Sequence, residues 1–268
     1  MSTREDKDGP IGVFDSGLGG LTVVRELMRQ LPSEDIVYFG DTARVPYGTK
    51  SKEAIIRFSR ENTRILLQYK VKMVVVACNT SSSYALDILR KEFRVPIVGV
   101  IGPGARKAIA MTKAGNVGVI ATSATVASGQ YEKSIKQCDG GIRVVSQACP
   151  LFVPLAEEGW ADKPVTFEIA REYLKPLKKS GIDTLILGCT HYPLLKAALQ
   201  KAVGKSVVLV DSAKEVALEV DGILTSLGRK RTEKKVGRYR FLISDRPQAF
   251  KKLAKNFLGR EIKHIQKV

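Results

Sequence analysis

Residues Val71–Leu89 and Ile182–Gln200, 111 positions apart, repeat one arrangement: an apolar run, a small residue, a cysteine, two polar residues and a helix-forming stretch. This repeat constrains the fold more than any other feature. Met73–Ala77 is too apolar for a strand with one wet face, so it belongs in a parallel sheet covered on both sides. The preceding elements recur too, since Val117–Ala121 resembles Ile11–Phe14, both carrying Gly-Val before a small polar turn. Val95–Ile101 and Ser206–Asp211 form a third matched pair. The reading is an α/β chain of two similar lobes, each a mostly parallel sheet flanked by helices, with the active site between them.

The first lobe reads as strands Ile11–Phe14, Ile36–Phe39, Met73–Ala77 and Ile97–Val100. Helices near Leu21–Leu31, Lys52–Tyr69, Ser82–Glu92 and Gly104–Met111 separate or follow them. The second lobe ends near Val210–Asp211. A helix (Ala213–Leu227), a strand (Tyr239–Ser244), a helix (Pro247–Phe257) and a short strand (Glu261–Gln266) remain, too little for a core of their own. They are expected to pack back on the first lobe, so that residues 1–100 and 211–268 form one lobe and 101–210 the other. Arg229–Gly237, charged and without apolar periodicity, reads as a flexible loop.

Met1–Pro10 is polar, and no apolar run reaches the roughly 20 residues that span a bilayer; together these predict a cytoplasmic protein without a membrane partner. Hydrophobic residues at 44% and charged residues at 26% suit a globular chain. The formal net charge of +17 is concentrated near the end, where residues 229–268 hold fourteen Lys or Arg against three acids. Such a segment is either a solvated basic face or a surface for nucleic acid or another anion. Its aromatic residues sit at core spacing, which favours the solvated face and argues against nucleic acid. Cys78, Cys138, Cys149 and Cys189 form no C-x-x-C pair, and with only two histidines a structural zinc site is not expected.

Cys78 and Cys189 occupy equivalent polar turns at the carboxyl ends of their strands, where open α/β sheets bind ligands. Each precedes a helix, with Ser81–Ser83 offering N-caps to one and Pro193 suiting the first turn of the other. A helix N-terminus favours a thiolate over the ordinary thiol of pKa about 8.5. Cys138 lies in a loop-like stretch and Cys149 has no repeat partner, so both read as structural. Asp15-Ser16-Gly17-Leu18-Gly19-Gly20 joins the first strand to its helix. Asp15 is either a helix cap or a group that holds an ammonium or assists proton transfer. Arg44-Val45-Pro46-Tyr47-Gly48 is a rigid turn with backbone donors for a carboxylate.

Taken together, Asp15–Gly20, Pro46–Gly48, Ala77–Thr80, Ala121–Thr125 and Gly188–Pro193 resemble the glutamate racemases of the aspartate/glutamate racemase family, over about Ile11 to Phe257. The resemblance implies cofactor-independent interconversion of L- and D-glutamate, supplying D-glutamate for peptidoglycan, by a homodimer. It implies one thiol over each face of the substrate α-carbon, Cys189 deprotonating L-glutamate and Cys78 the D-enantiomer. Asp15 and His191 would assist Cys78 and Cys189 respectively, and Glu157, or its neighbour Glu158, would be the acid near Cys189. Asn79, Thr80, Thr122 and Thr190 would hold the α-carboxylate and ammonium beside Ser16, while Pro46, Tyr47 and Gly48 would seat the side-chain carboxylate. No cofactor or metal is implied. Aspartate-type members carry an acid where His191 stands and lack this Asp-Ser-Gly-x-Gly-Gly turn. A racemase fold that binds nucleic acid or another anion is the alternative from a different class, and the basic segment is its only support.

Overall fold

The computed structural model describes residues 8–233 and 235–268. The stretch 1–7 of the polar start and Lys234 of the basic loop lie outside the described residues. Among the described residues ten strands form two sheets, and the strand pairs are all parallel. The first sheet contains β1 (Ile11–Asp15), β2 (Ile36–Gly40), β3 (Met73–Val76), β4 (Ile97–Gly99), β9 (Tyr239–Ile243) and β10 (Gln266–Lys267), in the order β10-β9-β2-β1-β3-β4. The second contains β5 (Asn116–Ala121), β6 (Arg143–Ala148), β7 (Thr184–Gly188) and β8 (Val208–Val210), in the order β6-β5-β7-β8. Four strands of the first sheet thus run β2-β1-β3-β4, and the second sheet repeats that order. The sequence repeat is a repeat of topology.

Burial explains why the repeat was visible. Every residue of β1, β2, β3 and β7 is buried, so these strands are apolar runs closed by a turn. β6 lies at a sheet edge with exposed and half-buried residues, which is why Arg143–Ala148 carries no strand pattern. The closing strand is Gln266–Lys267, not Glu261–Gln266; only these two residues run alongside β9. The Arg229–Gly237 stretch is tethered where it is described: Glu34 accepts from the Arg231 amide at 2.7 Å, and the Arg229 carbonyl accepts from the buried Lys72 at 2.9 Å.

The Ser212–Ser226 helix packs on both the Leu21–Gln30 and Ile101–Met111 helices. Its Val216, Val220 and Leu224 join one apolar cluster with Ile11, Val13 and Val75 of the first sheet and Val117, Val119 and Ile186 of the second. At about 25 cal/mol per Å² of apolar area removed from water, this shared core opposes separation of the lobes. Among the described residues, no helix is long and apolar enough to cross a membrane.

Candidate active site

The carboxyl ends of β1, β3, β5 and β7 meet between the sheets and deliver Asp15, Cys78, Thr122 and Cys189. Asp15 is fully buried. Its Oδ2 accepts from the Gly17 amide at 3.0 Å, while Oδ1 has no hydrogen-bond partner. Burial raises the Asp15 pKa, opposed by the nearby charge of His191. Two glycines let the loop run close: a Cβ on Gly20 would stand 2.5 Å from the Asp15 Cβ, and one on Gly19 would stand 2.1 Å from the Thr190 Oγ1. The first lobe therefore touches the second at Gly19.

Cys78 does not precede its helix at a distance. It is the N-cap of the Asn79–Tyr84 helix, with Sγ accepting from the Ser81 amide at 3.5 Å. The helix starts three residues earlier than the Ser82 expected, because sulfur takes the capping place assigned to the serines. Its thiol also donates to the Ser16 Oγ at 3.7 Å. The expected lowering of the Cys78 pKa is overturned. Burial, helped by the charge of Asp15, pushes it up to about 11 despite the amide contact.

Cys189 meets a different partner. Its Sγ lies 3.8 Å from the His191 Nδ1, and the His191 Nε2 lies 3.0 Å from the Glu157 Oε1. Thr190 Oγ1 stands 3.5 Å from the same Nδ1. Burial would lower the His191 pKa, but hydrogen bonds and charge from Cys189 and Glu157 raise it to about 10. A histidine that holds its proton more tightly than usual therefore faces the second sulfur, and the buried Asp15 neighbours the first. Glu158 is exposed, so of the two candidate acids Glu157 is the one at the site.

Threonines line the seam. Thr80 of the first lobe lies 3.0 Å from Thr122 and 3.2 Å from Thr125 of the second, oxygen to oxygen. Gly48 abuts Thr122 so closely that a Cβ would stand 2.6 Å from the threonine Cβ. The Val45–Pro46 peptide is cis and Pro46 is exposed, while Tyr47 and Gly48 are buried. The Tyr47 hydroxyl is engaged away from the cleft: it donates to Asp41 and accepts from the Asn62 Nδ2 at 3.1 Å. Asn79 accepts at Oδ1 from the Tyr131 hydroxyl at 2.6 Å. Cys78 and Cys189 are only 4% and 7% exposed.

Thr125, Tyr131 and Asp41 take part in this arrangement without having been assigned roles from sequence. Thr125 stood inside a noted motif, and Asp41 follows β2 as Asp15 ends β1; Tyr131 carried no local signal. Cys138 is exposed. Cys149 is buried, donates to the Gln147 carbonyl at 3.6 Å and belongs to the core of the second lobe.

The family model for Asp/Glu/hydantoin racemases matches residues 11–220. The chain belongs to that family. Among its racemase relatives, the glutamate racemase of Geobacter metallireducens is 50% identical over 258 residues, covering 96% of each chain. The crystal structure of a glutamate racemase isoform from Bacillus anthracis superposes with a TM-score of 0.94 at 41% identity, covering 98% of both chains. That of glutamate racemase from Francisella tularensis, in complex with D-glutamate, gives 0.92 at 39% identity and the same coverage.

Proposed function

We propose that this racemase interconverts L- and D-glutamate by two opposed cysteines and no pyridoxal cofactor, and so supplies D-glutamate for peptidoglycan. The observation that carries the reading is the pairing of equivalent cysteines with unlike partners. A two-base racemase must begin a turnover with one sulfur ready to take a proton and the other ready to give one. Cys78, buried beside Asp15 and titrating near 11, is the proton donor at neutral pH. Cys189, with the His191 Nδ1 3.8 Å from its sulfur, is the acceptor from L-glutamate. From L-glutamate, the Cys189 thiolate takes the α-proton and the electron pair passes into the α-carboxylate. The Cys78 thiol then returns a proton to the opposite face as those electrons flow back to carbon. Turnover from L leaves Cys189 as the thiol and Cys78 as the thiolate, and this state takes the α-proton of D-glutamate, so the D-to-L direction exchanges the two roles.

The substrate makes three polar demands. Its ammonium suits the unpartnered Asp15 Oδ1 beside Ser16, and its α-carboxylate suits Asn79, Thr80, Thr122 and Thr190. Its side-chain carboxylate suits the backbone of the Pro46–Gly48 turn, since the Tyr47 hydroxyl is occupied. Charge grows on the α-carboxylate as the α-proton leaves, and fixed donors there lower the barrier most in a dry site. His191 keeps Cys189 oriented, and Glu157 holds His191 from its other nitrogen.

Residues 1–100 with 211–268 are read as the first lobe and 101–210 as the second, in keeping with the pairing of β9 beside β2. The protein is read as a cytoplasmic homodimer. The test is incubation of each enantiomer in deuterated water without pyridoxal phosphate, following α-proton loss and optical rotation. Racemization in both directions, lost in Cys78→Ala and in Cys189→Ala but kept in Cys138→Ala, is the expected result. Loss in Cys138→Ala with retention in Cys189→Ala overturns the assignment. Aspartate turned over faster than glutamate would favour the aspartate alternative, and salt-dependent DNA binding without turnover the anion-binding one.

A further inference from the structure

We propose that Tyr131 is a positioning residue of the racemase site, setting the Asn79 amide so that its NH2 group faces the α-carboxylate. The inference rests on the reading of Asn79 as a carboxylate donor. A carboxamide offers an acceptor on one side and two donors on the other, and only the donor side helps an anion. What fixes the side is whatever occupies the oxygen. Here it is the Tyr131 hydroxyl, 2.6 Å from Oδ1 and buried.

Tyr131 belongs to the other lobe, on the Gln130–Cys138 helix, and is only 2% exposed. Its ring is held between glycines: a Cβ on Gly188 would stand 3.0 Å from the ring, and one on Gly104 would stand 3.7 Å from ring and hydroxyl. Gly188 is the residue before Cys189, and Asn79 the residue after Cys78. One side chain thus packs on the turn of one cysteine and hydrogen-bonds the turn of the other. The amide is set only while the lobes are together, so the donor is presented when the seam is shut and the site is dry. The flanking Thr80–Thr122 contact at 3.0 Å closes the same seam beside it.

The experiment is a cycle of Tyr131→Phe, Asn79→Ala and the double variant, with kcat and KM measured for both enantiomers. Tyr131→Phe keeps the ring and removes only the hydroxyl. It is expected to fold, with circular dichroism as for the parent, and to lose about tenfold or more in kcat/KM, mostly in kcat. The loss is equal for L and D because enantiomers interconvert with an equilibrium constant of one. In the Asn79→Ala background the same change is expected to cost less than about twofold. Asn79→Asp keeps an acceptor for Tyr131 but turns an oxygen toward the carboxylate. It is expected to fold and to lose about a hundredfold or more, and an active Asn79→Asp overturns the inference even where Tyr131→Phe does not fold. Losses that multiply in the double variant, or Tyr131→Phe at parental activity, overturn the positioning role while Asn79→Ala remains impaired. An active Asn79→Ala or Asn79→Asp overturns the reading of Asn79 itself, and the inference with it.

Discussion

Gly19 tests whether the closed seam is the working geometry. A Cβ there would stand 2.1 Å from the Thr190 Oγ1 and 2.7 Å from the His191 Nδ1, where ordinary contact begins near 3.4 Å. Alanine at 19 therefore requires a displacement of about 1 Å between the first-lobe loop and the residues beside Cys189. A misplacement of that size costs on the order of a hundredfold in rate when reacting groups must be held in line. Gly19 does not occupy the left-handed backbone region, so the substitution adds no strain to its own dihedrals. In a racemization assay, Gly19→Ala is expected to fall about a hundredfold in kcat/KM for both enantiomers, with a melting temperature near the parent's. Gly17→Ala is the control in the same loop. Its Cβ would meet only the Val45 side chain, at 3.3 Å, and it is expected to keep most activity. Gly19→Ala within threefold of the parent, or Gly17→Ala equally damaged, would refute the reasoning, because the loss would then not come from the seam.

Glu157→Gln removes one of the two groups that hold the His191 proton, so the alkaline limb of kcat/KM is expected to move to lower pH, while Glu158→Gln leaves it in place. Thermal stability is expected to decline with rising pH, measured as melting temperature across pH 6–11. His191 keeps its proton up to about 10 in the fold but to about 6.5 when unfolded, and Cys78 to about 11 against 9. Both groups bind the proton more tightly when folded, so their contribution is complete below pH 6.5 and is lost through 6.5–10 and then 9–11, at about 1.4 kcal/mol per pH unit for each proton. Lys72→Met removes the cation from buried Glu34, whose carboxylate the lysine reaches at 2.5 Å with both side chains about 1% exposed, and leaves it the Arg231 amide; denaturant unfolding is expected to show a loss of about 3 kcal/mol. Iodoacetamide is expected to label Cys138 first, since Cys78, Cys149 and Cys189 are buried, and mass spectrometry of labelled peptides checks the order.

Sequence showed most of what depends on periodicity and little of what depends on neighbours distant in the chain. The strands β1, β3, β5 and β7 were readable because they are buried on both faces, and the cysteine turns because each closes such a strand. Edge strand β6 was not, since its half-exposed residues show no apolar run. The helix after Cys78 was placed three residues late because serine is the commoner cap, and nothing local announces that a sulfur takes that place. The electrostatic setting of Cys78 was misjudged for a related reason. The helix N-terminus is local and visible, whereas Asp15, 63 residues earlier, and the depth of burial come from the fold. Tyr131 lay outside every motif because its partner, Asn79, is 52 residues away.

The repeat itself explains why the two sulfurs differ. Matched strand order makes Cys78 and Cys189 equivalent in backbone, and matching alone would make them equal in chemistry, two thiols or two thiolates. Neither serves a reaction that needs one acid and one base at the start of each turnover. The equivalence is broken at two places. Two residues past the cysteine, the first lobe has Thr80 and the second His191; at the end of the neighbouring strand, the first has Asp15 and the second Ala121. Each change places a titratable group at one cysteine only, an acid beside Cys78 and a base beside Cys189. Exchanging only one of them would leave the cysteines in similar fields, so His191 and Asp15 are expected to act as a pair. In a double-mutant cycle of Asp15→Asn and His191→Asn, the loss in kcat/KM should depart from the product of the single losses by more than threefold. Multiplicative losses would mean that the two groups serve their own cysteines separately, and that the asymmetry is not a shared device.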